Sequence, residues 1–338
     1  MIPKLMSEIS ISRLTGSLLL AATAFTAFAG PLDQSKVAAD AKWVVHLDFD
    51  AFRKSKLGNH FVTKIIEPKL KENDFFQKAN LSLSLTNISG LTAYGPNYEK
   101  DGDGVLLLST TADLKKDMDT LVGMAAVSGN ETKDVTMVQQ QPFPIYNVKN
   151  DFFVAPLSGN TVLLAKSRDQ VDRAREIVSG KGENLAKGGA FKDYPETPST
   201  FFFSAMAQSF NESAHIPPQA QVLRETDGGR FVIGENEKNI FLNLVFKGKD
   251  QEATTKIQQV LQGIVALVSM SQKNPEIIEL ASSAKIIGEG RNVSVTLQFP
   301  TAKAIEHVEK NVKVKQDNIE SDAEVAGSSP GKEEETGK

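Results

Sequence analysis

Residues Asp151 to Gly180 have the sequence DFFVAPLSGNTVLLAKSRDQVDRAREIVSG, which predicts a strand, a tight turn, a second strand and a helix. Gly159 and Asn160 favour the turn, because both residue types adopt a positive φ at low energetic cost. Ser167, followed three positions later by Gln170, predicts a capping box at the start of the helix. One apolar stripe follows along that helix, formed by Val171, Ala174, Ile177 and Val178.

A similar segment occurs near the other end of the chain, where residues Ala284 to Asn311 read AKIIGEGRNVSVTLQFPTAKAIEHVEKN. Earlier elements match in the same order, so that the strand beginning at Trp43 resembles the one beginning at Thr200. The strand and helix that begin at Gly104 similarly resemble those that begin at Asn239. This order predicts an internal duplication. The alternative is that any chain of mixed helices and strands offers such matches.

The recurring hairpins indicate an α+β fold made of two related halves. Each half is expected to be an antiparallel sheet with helices on one face, similar to a ferredoxin-like arrangement. We expect the first half to span residues 30–180 and the second to span residues 200–312. A segment rich in glycine, proline and lysine, residues 181–199, is predicted to link them. The acidic tail, residues 313–338, is predicted to be disordered.

The first 29 residues predict a secretory signal peptide. Lys4 and Arg13 supply positive charge, and the apolar run Leu14–Ala29 ends in the cleavage pattern Ala27-Phe28-Ala29. The mature chain would then begin at Gly30, in the periplasm or outside the cell. The alternative is a retained membrane anchor, although the run is short for a bilayer span. No later segment is predicted to cross a membrane.

The composition excludes several classes of function. The chain has 338 residues and no cysteine, which excludes disulfides, thiolate metal sites and a cysteine nucleophile. Its formal net charge of −4 gives no basic field that would attract nucleic acid. No nucleophile elbow, zinc-protease motif or dinucleotide fingerprint occurs, so the sequence predicts no cofactor and identifies no catalytic residue.

His46, Asp48 and Asp50 are the candidate metal ligands. They alternate along a predicted strand and would therefore share the face opposite Val45 and Leu47. One imidazole and two carboxylates suit a divalent cation. The alternative is that the three residues lie on a solvent-facing strand at a sheet edge, where the last aspartate caps a helix.

The segment around these residues also carries a family resemblance. Residues Ala38 to Gly58, with the sequence AADAKWVVHLDFDAFRKSKLG, resemble the mature start of uncharacterised exported proteins from Gram-negative bacteria. The resemblance implies a location in the cell envelope. It supplies no functional residues, because no activity is assigned to that group.

Three functions fit these observations. The first is a non-enzymatic module that binds another envelope protein, with the groove between the two halves as the expected place. The second is a hydrolase that uses carboxylates or a metal near His46, Asp48 and Asp50. The third is a carrier of a small apolar ligand held between the sheet and the helices. The fold class alone does not choose among them.

Overall fold

The structure is a computed structural model of the chain. It describes residues 32–71, 82, 84–98, 104–127, 135–157, 160–188, 191, 194, 200–209, 218–270 and 275–310. The predicted signal peptide, residues 1–29, and the predicted acidic tail, residues 313–338, lie outside these ranges.

The described strands are β1 (Trp43–Asp48), β2 (Ile88–Gly95), β3 (Val105–Thr110), β4 (Val135–Gln139), β5 (Ile145–Val148), β6 (Phe152–Leu157), β7 (Thr161–Ala165), β8 (Phe201–Gln208), β9 (Thr226–Glu235), β10 (Asn239–Gly248), β11 (Lys285–Glu289) and β12 (Asn292–Pro300). The α-helices are α1 (Phe49–Lys54), α2 (Lys56–Phe61), α3 (Leu114–Val127), α4 (Arg168–Val178), α5 (Gln251–Ser269), α6 (Pro275–Ser282) and α7 (301–310). A π turn over Val62–Ile66 and a further turn over Glu67–Lys71 extend α2.

The strands confirm the α+β class and its antiparallel pairing, but they form one sheet. In the described part of the chain, twelve strands follow the order β11-β12-β10-β9-β8-β1-β2-β3-β7-β6-β5-β4. The predicted halves therefore do not have separate sheets. They join edge to edge, because β1 pairs with β2 on one side and with β8 on the other.

The junction between the halves has hydrogen bonds beyond the strand ladder. The backbone N–H of Gln208 donates to the carbonyl oxygen of Lys42 at 2.8 Å. The hydroxyl of Tyr98 lies 2.8 Å from the Lys42 carbonyl oxygen and 2.9 Å from that of Gln208. The side-chain amide of Gln208 donates to the carbonyl oxygen of Ala41 at 2.9 Å. One tyrosine thus ties the start of β1 to the end of β8.

The segment that the sequence singled out folds as expected into β6, β7 and α4. The hydroxyl oxygen of Ser167 accepts the N–H of Gln170, and the Gln170 side chain accepts the N–H of Ser167, which completes the capping box. Asn160 has a φ of 60°, as predicted for the turn; Gly159 lies outside the described residues. The buried face of α4 consists of Val171, Ala174 and Ile177.

Helices cover both faces of the sheet in the first half, so the prediction that they lie on one face is wrong. Successive residues of a strand point to opposite faces. On β7, Leu163 packs in the same cluster as Val171 of α4, whereas its neighbour Val162 packs with Met118 of α3. The strand is apolar on both sides because each side meets a helix.

Part of the predicted linker packs against the first half. Ala38 forms a bridge with Asn184, and the N–H of Leu185 donates to the carbonyl oxygen of Val37 at 2.9 Å. The side chain of Leu185 is buried in the cluster beneath α4. Residues 181–188 therefore contribute to the core, and most of residues 189–199 lie outside the described ranges.

We expect Tyr98→Phe to lower the free energy of unfolding by about 1 kcal/mol, because it removes the hydroxyl that joins β1 to β8. Tyr94→Phe is the matched control, since the Tyr94 hydroxyl has no hydrogen-bond partner among the described residues. Urea unfolding of the mature protein measures both variants. Equal effects of the two substitutions would contradict a stabilising role for the Tyr98 contact.

Candidate functional site

The structure places His46 in the middle of the sheet and not at an edge. Its side chain is 1% exposed, and its cross-strand neighbours are Thr92 on β2 and Ser204 on β8. The Nδ1 atom lies 2.9 Å from the Thr92 hydroxyl oxygen. The prediction of a solvent-facing edge strand is wrong, because β8 covers the side of β1 that β2 leaves open.

Asp48 shares a face of β1 with His46, as the alternation predicts, but Asp50 does not. The chain leaves the extended conformation after Asp48, so Asp50 belongs to α1 and pairs with Arg53. Asp48 rather than Asp50 is the N-cap residue, and its Oδ1 accepts the backbone N–H of Ala51 at 2.7 Å. No group of three or more potential metal-ligating side chains occurs among the residues that the structure describes.

The environment of Asp48 fits a structural role. Burial raises the pKa of this carboxyl, and the nearby charge of Asp50 raises it further, while the hydrogen bond from Ala51 lowers it. An aspartate at this position satisfies an N–H that the first turn of a helix leaves unpaired. In the described part of the chain, the three candidate residues therefore form a helix cap, a surface ion pair and a buried histidine.

Among the described residues, four of the nine exposed large apolar side chains lie on α5 or directly after it; the other five are Met124, Met137, Val138, Ile277 and Ile287. Helix α5 begins at its N-cap Asp250, which accepts the N–H of Ala253 at 2.8 Å. Its first half packs inward, with Ala253, Thr254 and Ile257 buried. Ile264 lies two helical turns beyond Ile257 and on nearly the same side. Ile257 is 1% exposed whereas Ile264 is 42% exposed, so the helix extends beyond the elements that cover it.

We call this region the apolar end of α5 and define it by Val260, Ile264, Leu267 and Met270, together with the exposed Ile277 of α6, a helix that packs against α5. Leu267 is 72% exposed and Met270 is 80% exposed. No charged residue occurs from Ile257 to Gln272, a stretch that otherwise contains Gln, Gly, Ala and Ser. The apolar period alone predicts that the stripe faces the protein's own core. That prediction holds for Ile257 and fails for Val260 and Ile264.

Ion pairs occur on the same helices but at other positions. Glu252 accepts from Lys256 at 2.7 Å in the first turns of α5. Glu279 of α6 forms an ion pair with Lys303 of α7 at 2.6 Å. The stretch from Ile257 to Met270 itself carries no charge.

Comparisons with known proteins leave the family open. No family model matches the chain, and no curated protein matches it. Solved structures give distant similarity of shape. Crystal form III of TP0453 aligns with a TM-score of 0.43 at 9% identity, over 82% of this chain and 97% of that one. Crystal form I of TP0453 aligns with a TM-score of 0.40 at 9% identity, over 82% and 96%.

Within the described ranges, none of the helices combines the length and the hydropathy that crossing a bilayer requires.

If Asp48 acts only as a cap, Asp48→Asn should retain the free energy of unfolding at pH 7 and Asp48→Ala should lose about 1 kcal/mol, because asparagine caps as well as aspartate. The raised pKa means that ionised Asp48 destabilises the folded state at neutral pH. Any stability that the asparagine adds should therefore vanish as the pH falls to 3.8, which is the ordinary pKa of an aspartate and the value that Asp48 has in the unfolded chain.

Guanidinium unfolding of both variants between pH 7 and pH 3 measures this difference, with Asp151→Asn, at an exposed position away from α1, as the surface control. If Asp48→Asn destabilised the protein as much as Asp48→Ala, the charge itself would be required and the capping role would be wrong.

Proposed function

We propose that this chain is an exported, non-enzymatic binding module whose binding surface is the apolar end of α5. Its partner is another envelope protein that offers an apolar groove. The observation that carries this proposal is the exposure of Leu267 and Met270, at 72% and 80%, on a helix end without charge. Contiguous exposed apolar side chains are typical of interaction surfaces.

The spacing of the exposed residues suits a groove. Val260, Ile264 and Leu267 lie at positions i, i+4 and i+7, which places their side chains in one row along the helix. Helices that bind in apolar grooves use anchors with this spacing. Gly263 lies beside this row, and a Cβ atom added there would meet nothing within 4 Å. A partner could therefore approach the helix backbone closely at this point.

The charge of the surface argues against a lipid membrane as the occupant. A helix that binds an anionic lipid surface carries lysine or arginine along its polar face. Between Lys256 and Lys273, α5 and the residues after it carry neither.

The envelope location rests on the predicted signal peptide and on the resemblance of residues 38–58 to exported proteins. The internal duplication is also part of this proposal. From the junction outward, the strand order is β1-β2-β3-β7-β6 in the first half and β8-β9-β10-β12-β11 in the second, and the first half continues with β5 and β4, which have no counterpart among the described strands. Elements in the same sequence order occupy the same sheet positions, which supports two copies of one unit.

Site-specific photo-crosslinking tests the binding surface. With p-benzoylphenylalanine in place of Leu267 in the full-length exported chain, we expect a defined adduct with one other envelope protein. The same probe at Thr255, on the polar side of α5, is the matched control and should give no adduct. Ile264→Glu should reduce the Leu267 adduct at least tenfold, because it places a charge within the apolar row.

Two outcomes would overturn this proposal. One is an adduct that contains a second copy of this chain, and the other is labelling of lipid alone. Circular dichroism of the Ile264→Glu variant serves as the folding control, since Ile264 is already largely exposed and its replacement should leave the helix intact.

A further inference from the structure

The sheet ends in two strand edges, and they differ in regularity. In the described part of the chain, β4 is the outermost strand at one end and β11 is the outermost strand at the other. The ladder between β4 and β5 is irregular between Met137 and Gln139, whereas β11 pairs with β12 without interruption from Lys285 to Glu289. Irregularities of this kind protect an edge from further pairing. The edge of β11 therefore remains suited to pairing with another strand.

The backbone of β11 has hydrogen-bonding groups that point away from β12. Glu289 and Asn292 flank a two-residue turn, so they form a hydrogen-bonded pair. Hydrogen-bonded and non-hydrogen-bonded pairs alternate along an antiparallel ladder, so every second residue of β11, counted back from Glu289, bonds to β12. The N–H and C=O groups of Ile286 and Gly288 therefore point to the outer edge, where no described strand pairs with them.

The exposed side chains of β11 lie on the face of the sheet opposite α5. A Cβ atom added at Gly288 would meet the side chain of Gln258 on α5 at 2.5 Å, so Gly288 faces the helix. Alternate residues of a strand point to opposite faces, which places Lys285, Ile287 and Glu289 on the other side. Ile287 is 61% exposed, and the two charged residues are exposed as well. An exposed apolar side chain thus lies between a positive and a negative one on the last strand of the sheet.

We propose that β11 pairs antiparallel with β11 of a second copy of this chain, about a two-fold axis at Ile287. In that register Lys285 lies opposite Glu289 of the partner subunit, because the two residues are equally distant from Ile287 in sequence. The symmetry repeats this ion pair on the other side of the axis. Ile286 lies opposite Gly288 of the partner subunit, so the backbone groups that point to the outer edge meet in hydrogen-bonded pairs. Side-chain charge and backbone pattern therefore agree on one register.

Other pairings of this edge fit less well. A register shifted by two residues would keep the backbone pattern but would place Ile287 opposite Lys285 and lose the ion pair. Pairing of β11 with β4 of a second copy would join unlike edges and build an open chain of molecules. Strand β4, with the sequence VTMVQ, also has no charged residue to meet Lys285 or Glu289. A strand of a different protein would not require opposite charges at equal distances from Ile287.

This contact is separate from the proposed binding surface. The side chains that meet across the two-fold axis lie on the sheet face opposite α5, whereas that surface lies on α5 itself. Either proposal can therefore fail without the other.

Sedimentation velocity of the purified exported chain measures the association. We expect a monomer–dimer equilibrium that shifts with protein concentration and gives no larger species, because a two-fold contact occupies the β11 edge of both copies. Glu289→Lys should weaken dimerisation at least tenfold, since it places like charges opposite each other on both sides of the axis. The exchanged variant Lys285→Glu/Glu289→Lys should restore dimerisation. Glu183→Lys, an equal change of charge at an exposed position in the first half, is the matched control and should leave it unchanged.

Ile287→Cys tests the position of the two-fold axis. The chain has no cysteine, so this variant carries a single thiol. Residues directly opposite each other in a non-hydrogen-bonded pair have Cα atoms about 4.5 Å apart, a separation that a disulfide spans. Mild oxidation with copper phenanthroline should therefore link two copies of Ile287→Cys. Val138→Cys, at an exposed position on β4, is the control and should stay unlinked.

Four results would overturn the proposal. A chain that stays monomeric up to about 1 mM, where even a weak dimer is populated, would leave the edge to a strand of another protein. Growth beyond a dimer would show that unlike edges pair. A dimer that Glu289→Lys leaves unchanged would use another surface. Failure of the exchanged variant to dimerise, while its circular dichroism matches that of the unaltered chain, would exclude the proposed register.

Discussion

The antiparallel pairing of β1 with β8 is the contact on which the rest of the structure depends. A free strand edge presents unpaired N–H and C=O groups and invites association with other chains. Here each half covers an edge of the other, and one sheet of twelve described strands results. Tyr98 and Gln208 strengthen the junction through the carbonyl oxygens of Lys42, Gln208 and Ala41. The two halves are therefore expected to unfold together.

This pairing also decides where function can reside. Because β1 lies between β2 and β8, His46 becomes a buried residue beside Thr92, and the centre of the sheet offers no open site. Exposed apolar surface lies instead at the apolar end of α5, where Leu267 and Met270 are 72% and 80% exposed.

Local features were predictable because they depend on neighbours in sequence. The capping box of Ser167 and Gln170 and the buried stripe of α4 are examples. On β8, Phe202 packs against Phe52 of α1, and Phe203 packs against Phe231 of the neighbouring strand β9. The partner of β1 was not predictable, because β8 follows more than 150 residues later. The exposure of Leu267 and the unpaired Tyr94 hydroxyl likewise depend on tertiary packing.

Hydrogen exchange of the mature protein, followed by mass spectrometry in increasing denaturant, tests the single sheet most directly. The account predicts that the backbone amides of β1 and β8 exchange as slowly as those of β2 and β9. All four strands should then share one free energy of opening, as expected when the halves open together. Fast exchange of β1 and β8, with the remaining strands of each half still protected, would show two independent halves and contradict it.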